Sequence, residues 1–99
     1  MSDMSHAKSK LTPYPKRGKN GAPRFDSVEK SLSWYMKRQR IGVLGASQQE
    51  VCKRVGVSRP AYHTYESGDR APNLRTFVRI CQALYINPQS VIGDTEWEL

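Results

Sequence analysis

The stretch VGVSRPAYHTYESG, Val55 to Gly68, decides the fold. Gly56 is placed to end one helix in the left-handed conformation that glycine adopts at least cost. Only Val57 separates it from Ser58, whose hydroxyl suits the N-cap of a second helix. Pro60 then falls in the first turn of that helix, where its missing N–H leaves no intrahelical bond unmade. Two helices joined this tightly form a helix-turn-helix unit. At about 100° per residue, Ala61, Tyr62 and Tyr65 share one side of the second helix, and Arg59, Pro60, His63 and Thr64 share the other. The first side suits a core. The second is not the usual Lys/Glu mixture of a solvated face.

An α-helix fits the major groove of B-DNA, and residues near its N-terminus can reach base edges. Arg59 can donate two bonds to guanine O6 and N7. His63 can donate to a purine acceptor or to phosphate, Thr64 offers a hydroxyl and a methyl to thymine, and Pro60 offers apolar contact alone. A guanidinium at the positive end of a helix dipole is locally unfavourable, which a nearby anion would offset.

Working outward, Ser47 and Glu50 set the capping-box pattern at the start of the preceding helix. In QQEVCKRV, Val51, Cys52 and Val55 share a face, and Lys53 and Arg54 lie away from it. An earlier helix starts near Asp26 or Ser27 and runs to about Arg40, with Val28, Leu32, Tyr35, Met36 and also Gln39 on one arc. Trp34 lies nearly opposite, suited either to packing under the N-terminal segment or to a partner surface. IGVLGA, residues 41–46, reads as a turn or loop with two glycines. Downstream, Asn73 caps a helix over Leu74–Leu84 with Leu74, Phe77, Val78, Ile80, Cys81 and Leu84 on its apolar arc. Asn87 and Pro88 open a short fifth helix carrying Val91 and Ile92. The expected fold is all-α, five helices with short connections. It occupies residues 26–93, between a flexible basic arm, 1–25, and an acidic tail, 94–99.

Charge distribution points to a polyanion. The chain of 99 residues carries a formal net charge of +7. Residues 1–24 hold six basic side chains and one acid, whereas the last six residues hold three acids. A basic excess of this kind suggests nucleic acid. The arm reads either as a solvated tail or as a segment whose Lys16, Arg17, Lys19 and Arg24 add affinity by releasing counterions from DNA. The two cysteines, Cys52 and Cys81, sit among apolar residues and read as small hydrophobes of a reducing compartment. No run is long enough to cross a bilayer and none resembles a signal peptide, so the expected location is the cytoplasm, for a chain that is bacterial or phage-encoded. His6, His63 and the two cysteines show no ligand-type spacing, and there is neither a phosphate-binding glycine loop nor a nucleophile–base pair. The chain is therefore not expected to be an enzyme, nor to carry a metal or other cofactor.

From Ser47-Gln48 through VGVS, YESG and AP to the F..IC.AL.I.P..VI ending, residues 28–92 resemble the Cro/phage-repressor helix-turn-helix family, the XRE family. The resemblance implies a lambda-repressor-like five-helix domain. It places Arg59, Pro60, His63 and Thr64 at base-reading positions. It implies phosphate or sugar contacts for Gln48, Ser58, Ser67, Arg70 and Asn73, and an ion pair between Glu66 and an arginine of the first helix, for which Arg40 is the candidate. The segment between Arg40 and Gln48 is one residue longer than the family norm. The expected function is a sequence-specific regulator of transcription, a repressor that binds double-stranded DNA as a homodimer on an inverted repeat. The dimer surface is expected on the fifth helix and the GDTEWEL tail, with Ile92, Trp97 and Leu99. Two alternatives use the same fold: the antitoxin of a toxin–antitoxin pair, with a toxin as partner, and a protein–protein bridging module.

Overall fold

Ser27 opens the first helix of the computed structural model, which describes residues 24–96. Its hydroxyl accepts from the Lys30 amide at 3.2 Å, and α1 follows over Val28–Lys37. The chain does not break into the loop expected over residues 41–46. Winding continues as a π-helical segment, Arg38–Leu44, which closes at Gly45 with φ 62°. This correction has a physical reason: π-helical bonds span five residues rather than four. The wider turn keeps the backbone between Arg40 and Gln48 hydrogen-bonded, Ala46 N donating to Arg40 O at 2.9 Å.

The remaining helices start where their caps predict. α2 covers Gln48–Val55, with both halves of the capping box formed at 3.1 Å between Ser47 and Glu50. Gly56 ends it at φ 81°, and α3 runs over Arg59–Glu66 from the Ser58 cap. α4 covers Leu74–Leu84, with Asn73 Oδ1 accepting from the Thr76 amide at 2.8 Å. α5 covers Pro88–Gly93 after the Asn87 cap. Among the described residues there is no strand, only a single parallel bridge between Phe25 and Thr95.

α1 packs on α3 and α5, and α2 packs on α3 and α4, so α3 rests in a cradle made by the two preceding helices. The core joins Leu32, Tyr35 and Met36 of α1 to Val51, Cys52 and Val55 of α2, Tyr62 of α3, and Ile80, Cys81 and Leu84 of α4, with Ile86 and Val91 closing the far end. Each large apolar side chain buried in full contributes about 1.5–3 kcal/mol. Polar groups join the helices where they meet: Ser31 Oγ donates to Val91 O at 2.8 Å, and Gln39 Nε2 donates to the Leu84 and Tyr85 carbonyls at 3.0 and 3.2 Å. Gln39 therefore lies on the apolar arc because it satisfies the open C-terminal carbonyls of α4. Not every residue of the expected arcs is covered. Leu74 is 77% exposed, Val78 45% and Ile92 49%.

The ends of the folded unit lie further out than residues 26 and 93. Phe25 N donates to Asp94 O at 2.9 Å and Glu96 N to Phe25 O at 2.8 Å. Arg24 Nη1 pairs with Asp94 Oδ1 at 2.6 Å, and the Tyr35 hydroxyl donates to the other Asp94 oxygen. A buried carboxylate requires a cation and donors, and these come from Arg24, read from sequence as part of the arm, and from α1. Trp34 packs against Phe25, ring centroids 6.0 Å apart, and against the edge of Tyr35, with the Arg38 guanidinium 5.6 Å from its centroid. Of the two roles open to Trp34, it takes the one beneath the incoming N-terminal segment. Lys16, Arg17 and Lys19 lie outside the described residues, as do Trp97 and Leu99. No helix among the described residues is long and apolar enough to cross a membrane.

Candidate nucleic-acid interface

A buried carboxylate fixes the position of α3. Glu66, 2% exposed, receives Arg40 Nε at 2.8 Å and Nη2 at 2.6 Å on its two oxygens, in fork-to-fork geometry. Gln48 Nε2 donates to the same carboxylate at 3.1 Å, and Arg40 Nη1 reaches Ala46 O at 3.0 Å. One acid thus ties the π-helical segment, the first residue of α2 and the last residue of α3. The Arg40–Glu66 pair implied by the family resemblance is present. Burial opposes ionisation of Glu66, but hydrogen bonds from Arg40 and Gln48 outweigh it and hold its pKa below the usual carboxylate value. The bond to Glu66 likewise raises the pKa of Arg40. Tyr62, completely buried in the same region, has its phenol pushed far up, first by burial and then by its neighbour Glu66.

A second anchor joins the C-terminus of α3 to α1. Ser33 Oγ donates to Glu66 O at 2.5 Å, and Gly68, at φ 83°, brings the following turn so close that a Cβ there would stand 3.4 Å from the Ser33 Cβ.

These anchors set the rotation of α3. Its buried line runs through Tyr62 and Glu66, while Ala61 and Tyr65, expected in the core, are half-buried. The helix is turned because an ion-paired glutamate occupies space that hydropathy assigns to rings. On the outward side Arg59, Pro60 and His63 are exposed. Thr64 is half-buried, and its hydroxyl donates to Ala61 O at 2.7 Å. Its methyl and the oxygen lone pairs are what it can still offer a partner.

The expected backbone-contact residues lie around α3. Gln48 is half-buried with one amide proton committed to Glu66. Ser58 is exposed, its hydroxyl accepting from the Ala61 amide at 3.2 Å. Ser67 donates to Asp69 Oδ2 at 2.9 Å, Asn73 caps α4, and Arg70 is exposed. Arg24 stands apart from this group, held by Asp94. The sequence reading missed Asp94 as a structural acid, because nothing near it in the chain marks it as buried. The presence of Gln39 on an apolar arc was a usable signal of its capping role.

The thiols belong to the core. Burial pushes Cys81 up to about 11 and also raises Cys52, so both are poor nucleophiles near neutral pH. Among the described residues no three His, Cys, Asp or Glu side chains are grouped to hold a metal ion.

The architecture is that of a small all-α helix-turn-helix domain, with α3 presented outward by α1 and α2. A family model described as a helix-turn-helix domain matches residues 21–89, and the chain belongs to that family. It is also similar to an uncharacterized HTH-type transcriptional regulator, YqaE, of Bacillus subtilis (strain 168), with 37% identity over 41 residues. That match covers 41% of this chain and 35% of the relative, so the chain spans about a third of the curated protein it matches. No solved structure matches the chain.

Proposed function

We propose that this chain is a sequence-specific regulator of transcription of the Cro/phage-repressor type, a repressor that places α3 in the major groove of double-stranded DNA. The observation that carries this reading is the outward side of α3. Arg59, Pro60 and His63 are exposed on a short helix whose opposite side is locked by Tyr62 and the Arg40–Glu66 pair. A base-reading helix must hold its side chains in one register, and a buried bidentate ion pair at its end supplies that rigidity. Arg59 is the guanine reader, His63 a second donor, and Thr64 and Pro60 give apolar contact. Ser58, Arg70, Ser67 and Asn73 flank the helix where phosphates would pass, with the second amide proton of Gln48 at the start of α2.

One such helix covers only a few base pairs, so the chain acts as a homodimer on an inverted repeat with half-sites about 10 bp apart. The similarity to a protein named as a transcriptional regulator supports the regulatory role. The test is selection of bound sequences from random duplex DNA. The expected result is a two-fold symmetric site with one conserved G in each half. Recovery of unenriched sequence would remove sequence-specific readout.

A further inference from the structure

We propose that the exposed face of α4 is a receptor for the acidic C-terminal segment of a second copy of this chain. The inference deepens the homodimer reading above and rests on it. Leu74, Arg75, Val78, Arg79 and Gln82 line one shallow depression on α4. Leu74 and Val78 stand one helical turn apart along one edge, and Arg75 and Arg79 repeat the same step about 100° further round. The two apolar side chains are 77% and 45% exposed, and neither arginine forms an ion pair with an acid among the described residues. A face that presents aliphatic side chains beside arginines suits an occupant that is both apolar and acidic.

The chain contains one segment of that chemistry. After Asp94, which is occupied by Arg24 and Tyr35, the sequence reads Thr95, Glu96, Trp97, Glu98, Leu99. Acid and apolar residues alternate, so in an extended conformation Trp97 and Leu99 fall on one side and Glu96 and Glu98 on the other. The repeats also match. Two extended residues advance about 6.6 Å, and four helical residues advance about 6 Å. Trp97 and Leu99 can therefore meet Leu74 and Val78 while Glu96 and Glu98 meet Arg75 and Arg79.

The occupant is assigned to a second molecule, in keeping with the homodimer reading and with the different elements on which the two parts are held. Thr95 and Glu96 are fixed beside Phe25, next to α5, which packs on α1, whereas α4 packs on α2 and the π-helical segment. Reciprocal docking of two tails on two α4 faces makes a closed two-fold dimer.

Sedimentation equilibrium of the full chain without DNA tests this, using two charge-reversed pairs. Arg75→Glu with Arg79→Glu, and separately Glu96→Lys with Glu98→Lys, should each weaken self-association at least about tenfold. The four changes together should restore it, with helical circular dichroism unchanged throughout. Self-association that ignores both pairs, or that the combination does not restore, overturns the tail docking and leaves the homodimer standing. A chain that stays monomeric at every concentration overturns both. Loss of DNA affinity in the arginine variant with self-association intact would assign Arg75 and Arg79 to phosphates and overturn the proposal.

Discussion

At the scale of single residues, two side chains of α3 stand in opposite environments. Arg59 is exposed at its first position and makes no contribution to the core. Arg59→Ala should cost about 1–3 kcal/mol of affinity for the selected site and relax base preference at one position of each half. Titration of matched and mismatched duplexes checks this, since an equal loss on both would make Arg59 a phosphate ligand. Glu66 is the opposite case. Its folded pKa lies below the ordinary 4.5, so its stabilisation is present above that pH and is lost as pH falls through the lower folded value. Denaturant unfolding should therefore show stability declining below about pH 4.5. Glu66→Gln should lower stability at neutral pH by about 3–5 kcal/mol, because it leaves the Arg40 guanidinium buried beside a neutral amide. The same variant should flatten the acid limb but not abolish it, because Glu50, held low by the Ser47 backbone amide, titrates in the same window.

At the scale of elements, local signals set where helices begin and end. Ser27, Ser47, Ser58, Asn73 and Asn87 each cap a helix as their positions in the sequence predict. The turn between α2 and α3 depends on Gly56, at φ 81°, where an added Cβ would meet nothing within 4 Å. Gly56→Ala should therefore cost about 1–2 kcal/mol through backbone strain alone, read as a lower midpoint in thermal unfolding with DNA specificity retained. Tyr85 closes α4 in the same left-handed region, at φ 57°, and is 72% exposed. Tyr85→Gly should raise stability by up to about 1 kcal/mol, the relief of strain being partly offset by the freedom glycine adds to the unfolded chain. The π-helical segment was not legible in this way. Two glycines in IGVLGA look like a loop, and the contact made from the wound segment, Arg40 with Glu66, is to a residue distant in sequence.

At the scale of the whole molecule, charge is distributed between the folded unit and its ends. The Arg24–Asp94 pair and the Phe25–Thr95 bridge fasten both ends of the domain at one place. Removal of residues 1–23 takes away five of the chain's basic side chains. DNA affinity at low salt should fall and the dependence of log K on log salt should flatten. A slope equal to that of the full chain would show that these residues do not meet phosphate.

The sequence by itself determined the helices, their caps, the tight α2–α3 turn and the identity of the outward residues on α3. Each of those rests on interactions within a few positions of the chain, such as a hydroxyl on the amide three residues on, a glycine at positive φ, or a proline in a first turn. Tertiary structure decided the rotation of α3, the winding of residues 38–44, and the joining of residues 24–25 to 94–96. Those depend on charges far apart in sequence, Arg40 with Glu66 and Arg24 with Asp94, that can leave water only together. Periodicity treats such residues as solvated, because the partner that allows their burial comes from another part of the chain.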